Sequence, residues 1–92
     1  MHYVLQYDLV DDYLDRRAAF RQQHLSLVSQ AHECGELVMG GALAEPSDRA
    51  LLVFRAENKS VAESFAREDP YVLNGLVKHW EVRPWNVVIG NS

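Results

Sequence analysis

Glu36-Leu-Val-Met-Gly-Gly-Ala-Leu-Ala-Glu-Pro-Ser-Asp-Arg-Ala-Leu-Leu-Val-Phe-Arg-Ala56 lies at the middle of the chain and has the pattern of a β-hairpin. Two β-favouring runs, Glu36 to about Ala44 and Arg49 to Ala56, flank the turn-forming Glu45-Pro-Ser-Asp48. So short a connection makes an antiparallel hairpin, since a parallel return needs a dozen residues or more. Gly40-Gly41 lies inside the first of these strands. Glycine weakens a strand, so a pair there points to a bulge or to close approach by backbone or ligand.

On either side of the hairpin the period changes from two to that of a helix. Upstream, Tyr13 to about Cys34 repeats at helical period, opened by Asp11-Asp12 as N-cap and first-turn charge and closed by Gly35. Before it, Met1 to Val10 reads as a strand with Tyr3, Leu5, Tyr7 and Leu9 on one face. Downstream, Ser60 with Glu63 three residues on forms a capping box for a second helix, which turns Val61, Phe65 and Ser64 inward. That helix ends by Pro70, and Asp69 caps one more helical turn reaching Gly75. Val77 to Ile89 is the last strand, with Pro84 at an edge, a bulge or the point where the strand leaves its sheet. Gly90-Asn-Ser92 reads as a frayed tail.

The order β-α-β-β-α-β places the chain in the α+β class as a ferredoxin-like sandwich, with both helices on one face of the sheet. No linker, repeat or low-complexity stretch interrupts it, so residues 1–92 read as one domain with one modest core. The helix-free face of such a sheet should be polar in a monomer. Here Leu51 and Val53 oppose Leu52 and Phe54, Leu37 and Met39 alternate with Val38, and Trp80 and Val82 oppose Trp85 and Val87. Apolar residues on both faces imply a cover, and a second copy of the sheet is the simplest, giving a homodimer.

A net charge of −4 argues against nucleic acid, which needs a basic face. No run approaches 18 apolar residues and no charged-then-apolar leader opens the chain, so no membrane partner is expected and the cytoplasm is the default location. The lone Cys34 cannot pair within the chain and reads as a packed small hydrophobe. Arg16, Arg17 and Arg21 make the one local positive patch, either a solvated helix face or a contact for a small anion.

His24 is the conspicuous polar residue. At 100° per residue it falls inside the stripe of Tyr13, Phe20, Leu27, Val28 and Ala31, where the pattern calls for another Leu. A buried ring needs a partner or borders a cavity. Asp69 has two readings: an N-cap before Pro70, or a carboxylate meeting His24 across packed helices and fixing its tautomer for acid–base work. The two roles are compatible, because a capping carboxylate has a second oxygen. Tyr71 and Trp85 are core or interface aromatics, or the walls of a pocket for a flat conjugated molecule. His2, His32 and His79 show no ligand spacing with one another or with Cys34, so no metal is expected.

Together these stretches resemble the YciI-like (YCII-related) family of the dimeric α/β-barrel superfamily. The resemblance rests on Arg21-x-x-His24-Leu25, Gly40-Gly41 followed by Leu43, Asp69-Pro70-Tyr71-x-x-x-Gly75-Leu76 and Glu81-Val82-Arg83-Pro84-Trp85. It implies a ferredoxin-like protomer, sheets pairing into a dimeric barrel, and a cleft whose active pair matches His24 and Asp69. One branch is similar to enzymes that dehydrochlorinate a chlorinated hydroxymuconate, and related barrels include muconolactone isomerases. The sequence departs from the usual pattern at Gln22-Gln23, where Pro-Ala is frequent, and at Asn74, where a small residue is usual and this one would narrow the pocket or add a polar contact.

Two functions follow as expectations. The first is a lyase or isomerase that needs no cofactor and acts on a small anionic, conjugated or enolisable compound. In it His24 moves the proton, Asp69 orients the ring, Arg21 holds a carboxylate, and donors near Gly40 and Gly41 steady an enolate. Tyr71 and Trp85 wall the substrate. The second is a non-catalytic small-molecule-binding or interaction module that uses the same cleft. Oxygen chemistry on an activated aromatic follows only from analogy with other barrels.

Overall fold

In a computed structural model, described here over residues 1–90, a four-stranded antiparallel sheet carries the helices on one side. The elements in chain order are β1 (His2–Leu9), α1 (Tyr13–Arg16), a 3-10 turn (Arg17–Ala19), α2 (Arg21–Glu33), β2 (Leu37–Ala42), β3 (Arg49–Arg55), α3 (Ser60–Glu68), α4 (Pro70–Leu73) and β4 (Val77–Trp85). The strand order β2-β3-β1-β4 with every neighbour antiparallel is the ferredoxin-like arrangement. β2 and β3 form the hairpin, closed by the Leu43 N–H donating to the Arg49 carbonyl at 2.8 Å.

The inward face follows the period of two. Leu5, Tyr7 and Leu9 of β1 and Ala50, Leu52 and Phe54 of β3 are buried, and Phe65 of α3 meets Phe54 edge-on at 5.3 Å. Each large apolar side chain among them contributes about 1.5–3 kcal/mol by leaving water. The first glycine past α2 is Gly35, at φ 86°, with Glu36 N–H on the Ala31 carbonyl and Gly35 N–H on that of His32. Gly75, at φ 78°, follows α4 with the same pair of bonds, from Leu76 N–H to Tyr71 and from its own N–H to Val72. Pro84 lies in β4, an edge strand of the sheet, where its missing donor is tolerated.

Several details differ from the sequence reading. The first helical pattern breaks: a 3-10 turn and Phe20, at φ −120° and ψ −1°, separate α1 from α2. Ser60 is the first helical residue, not a cap; Asn58 Oδ1 accepts from its backbone N–H at 2.9 Å and from its hydroxyl. Ala62 and Ala66 are buried beside Phe65, while Ser64 is exposed. Cys34 is exposed, its thiol donating to the Ala31 carbonyl and a Glu36 oxygen. β4 stops at Trp85, short of Ile89. The β2 register slips between Leu37 and Met39, so Leu37 pairs with Phe54 and Met39 with Val53. That extra residue puts Leu37 on the inward face at 2% exposure and Met39 on the other at 65%. Of the expected frayed tail, Asn91 and Ser92 lie outside the described residues.

The helix-free face carries Val4, Gln6, Leu51, Arg83 and Trp85 around a shallow depression, with Val53 and Met39 beside it. Its apolar share is what the strand patterning anticipates. No helix among the described residues is long and apolar enough to cross a membrane.

Candidate functional site

Three elements converge on Asp69. The residue ends α3 and begins α4; its backbone, at φ −67° and ψ 123°, is extended, and Pro70 follows at the first helical position, where a missing N–H costs nothing. The side chain turns inward and is fully buried. Oδ1 accepts the Tyr71 backbone N–H at 3.0 Å and lies 2.8 Å from Nδ1 of His24 on α2. Oδ2 accepts the Tyr7 hydroxyl of β1 at 2.7 Å. Three donors on two oxygens suit an acceptor-only carboxylate. Asp69 therefore caps α4 and reaches His24 at once.

A carboxylate accepts, so Nδ1 of His24 donates, and in the neutral ring the lone pair falls on Nε2. No group among the described residues takes up Nε2. The imidazole lies flat on the Tyr71 ring, centroids 3.8 Å apart and planes 10° from parallel. Tyr13 meets Tyr71 edge-on at 5.7 Å, and the Arg17 guanidinium sits 5.6 Å above the Tyr13 ring. The His24 ring is held by a bond at one end and by stacking along its face, leaving one nitrogen available for proton transfer.

That nitrogen's residue borders a cavity of about 200 Å³. His24, Tyr71, Arg17 and Arg21 line it from the helical side, Gly40 and Gly41 from β2, and Tyr7 and Leu52 from the sheet. A Cβ on Gly40 would meet Leu52 Cγ at 3.2 Å, a tight contact to which Leu52 would have to yield, whereas one on Gly41 would meet nothing within 4 Å. The volume suits a metabolite rather than a drug-sized molecule.

Two phenols are perturbed. Burial pushes the Tyr7 phenol far up, reinforced by the Asp69 charge and by its own hydrogen bond, so Tyr7 stays a neutral donor. Burial also raises Tyr71, with Tyr13 adding to the rise, while the guanidinium groups of Arg21 and Arg17 pull it back.

Of the residues singled out from sequence, His24, Asp69, Arg21, Gly40, Gly41 and Tyr71 come together here. Trp85 does not: β4 alternation sends Trp80 and Val82 toward the helices and Trp85, 48% exposed, to the helix-free face. Asn74 does not narrow the cavity; its side chain donates to the Pro70 carbonyl at 2.8 Å and tightens the end of α4. The arginine patch divides, since Arg16 donates to the Asn74 carbonyl at 3.0 Å while Arg17 and Arg21 face the cavity. Sequence patterning marks Tyr7 and Tyr13 only as packing residues. The signal for Tyr7 is a phenol among leucines, which buries a hydroxyl that must find a partner. His32 ties α2 to β2, its Nδ1 2.9 Å from the Leu37 carbonyl, and no group of three metal-ligating side chains forms among the described residues.

Several known proteins share this arrangement of elements. The chain is 26% identical over 97 residues to protein YciI of Escherichia coli O6:H1, covering 96% of this chain and 99% of that protein. It is 27% identical, with the same coverage, to an uncharacterized protein of Haemophilus influenzae. Among solved structures, 5-chloro-2-hydroxyhydroquinone dehydrochlorinase (TftG) of Burkholderia phenoliruptrix, in complex with 2,5-dihydroxybenzoquinone, superimposes with a TM-score of 0.77 at 19% identity over 92% of this chain and 93% of that one. An Agrobacterium tumefaciens protein gives 0.55 at 20% identity, over 90% and 89%. At those identities the likeness is one of fold. A family profile matches residues 1–86, and the chain belongs to the YCII-related domain family.

Proposed function

We propose that this protein is a lyase or isomerase that moves a proton on a small anionic, conjugated or enolisable substrate with His24 as the base. The observation that carries the reading is the Tyr7–Asp69–His24 chain, in which Asp69 engages Nδ1 of a ring that borders a metabolite-sized cavity. Nε2 takes a proton from carbon, the C–H electrons enter the conjugated system, and charge appears on a substrate oxygen. The proton then returns to another carbon, giving an isomer. Alternatively an anionic leaving group departs with its bonding pair and the proton passes to water. Arg21 holds a substrate carboxylate, Tyr71 packs on the substrate or donates to it, and backbone donors near Gly40 and Gly41 steady the enolate. The fold shared with a dehydrochlorinase adds support by analogy.

The test is deuterium uptake from heavy water into a panel of muconate-like and enolisable acids, followed by proton NMR. Wild type should exchange or convert at least one of them, and His24→Ala should abolish the reaction while circular dichroism stays unchanged. Turnover retained in His24→Ala removes His24 from the mechanism.

A second reading, a binding module, draws on the completeness of the Asp69 contacts: a carboxylate with three donors is also what a structural pair looks like. It predicts ligand retention without exchange. In either reading the protein is a homodimer joined through the helix-free faces, where Val4, Leu51, Val53, Met39 and Trp85 supply the apolar surface. Trp85 then belongs to the pairing surface of its protomer. Sedimentation should give twice the chain mass for wild type and the chain mass for Leu51→Glu.

A further inference from the structure

We propose that the Tyr71 hydroxyl and the guanidinium groups of Arg17 and Arg21 form an anion subsite that takes an ionised oxygen of the ligand, a carboxylate or an enolate oxygen. This rests on the function proposed above and adds to Arg21 the Tyr71 hydroxyl and Arg17 as the groups that hold the charge of the anionic substrate.

Tyr71 is 2% exposed, and its hydroxyl has no hydrogen-bond partner among the described residues. The nearby Arg21 cannot complete it, because a guanidinium only donates and so leaves the phenolic proton without an acceptor. A buried donor left unmet costs about 1–3 kcal/mol, which an incoming oxygen would recover. The surroundings select the charge of that oxygen. The chain has 13 acidic side chains against 9 Lys and Arg, yet no Asp or Glu lines this cavity and two arginines do. Asp69, bonded to His24, has its contacts filled by Tyr7, His24 and the Tyr71 N–H.

The two guanidinium groups also bear on the same hydroxyl. Both line the cavity beside Tyr71 and favour its ionised form against burial and Tyr13. Arg17 is steadied over the Tyr13 ring, and Arg21 forms no ion pair among the described residues. Arg16, next in sequence, is held elsewhere by the Asn74 and Gly75 carbonyls. Two donor-only cations and the residue with the unmet O–H therefore line one cavity, with the His24 ring stacked on Tyr71.

The test titrates the purified protein with formate and with 4-nitrophenolate, each against its neutral counterpart, formamide or 4-nitroanisole, by calorimetry. At least one anion should bind about tenfold or more tighter than its counterpart, as a charge-assisted contact requires. That preference should fall about tenfold in Tyr71→Phe, which keeps the ring and its stacking, and in Arg17→Met. A preference shown by formate alone assigns a carboxylate, and one shown by 4-nitrophenolate assigns an enolate-like oxygen. Equal binding of anion and neutral probe, no saturable binding by either anion, or a preference unchanged in either variant overturns the subsite. Anion preference without His24-dependent exchange would remove the lyase or isomerase reading and leave the subsite standing. Exchange without anion preference would do the reverse.

Discussion

Two aspartates open two helices of four residues each, and they do different things. Asp12 precedes α1 with its backbone at φ −98° and ψ 25°, makes no capping bond, and sits with its side chain 59% exposed, 3.8 Å from Arg16. Asp69 precedes α4 in an extended conformation, caps it, and is fully buried with Tyr7 and His24 on its remaining lone pairs. Residue type is the same; backbone geometry and burial differ. An N-cap side chain reaches the helix N–H groups from an extended backbone, and the inward turn that extension allows is what brings Asp69 to strand β1 and helix α2.

The contrast is broken most directly by truncation. Asp69→Ala leaves the buried Tyr7 hydroxyl and Tyr71 N–H and the part-buried His24 without an acceptor and should cost about 3–5 kcal/mol in urea denaturation. A loss under about 1 kcal/mol would mean the site relaxes around the gap. Tyr7→Phe removes one donor and leaves Oδ2 unmet, an expected loss of about 1–3 kcal/mol. It also changes the response to alkali. The folded chain holds the phenolic protons of Tyr7 and Tyr71 above the ordinary range, so the unfolded chain releases them first and stability falls as pH rises past about 10. Denaturation midpoints should decline less steeply there in Tyr7→Phe.

Gly75→Ala probes the other end of α4. The site has room, since an added Cβ would stand 3.8 Å from Arg16 Nη2, so the φ of 78° alone should cost about 1 kcal/mol. Asp12→Ala should change stability by no more than about 0.5 kcal/mol, because an exposed ion pair without a capping bond contributes little. A loss there matching that of Asp69→Ala would erase the distinction.

The order of elements and the inward stripes are legible because period-two alternation and helix stop signals survive without tertiary context. Asp69-Pro70 announces a cap, and His24 stands out as a polar interruption. What stays hidden depends on single-residue events. One extra residue at Val38 moves Met39 to the opposite face, and alternation counted along sequence cannot register a bulge. The break at Phe20 has no stop signal in sequence, since its neighbours are ordinary helix formers. Tyr7 looks like core because a strand tyrosine buries the same ring whether or not its hydroxyl has a distant partner; the one it finds lies 62 residues away. Trp85 leaves the site and Arg17 joins it for the same reason: which face an aromatic or a cation serves depends on register, which sequence leaves open.

Proton transfer by His24, as proposed, requires that Asp69 hold the ring proton on Nδ1 and leave Nε2 as the base. Two-dimensional ¹⁵N–¹H NMR of selectively labelled protein, at a pH where the ring is neutral, reads the tautomer directly. The Nδ1–H form, with Nε2 carrying the lone pair, is the predicted result. The Nε2–H form would contradict it, because the nitrogen assigned to take the substrate proton would already hold one.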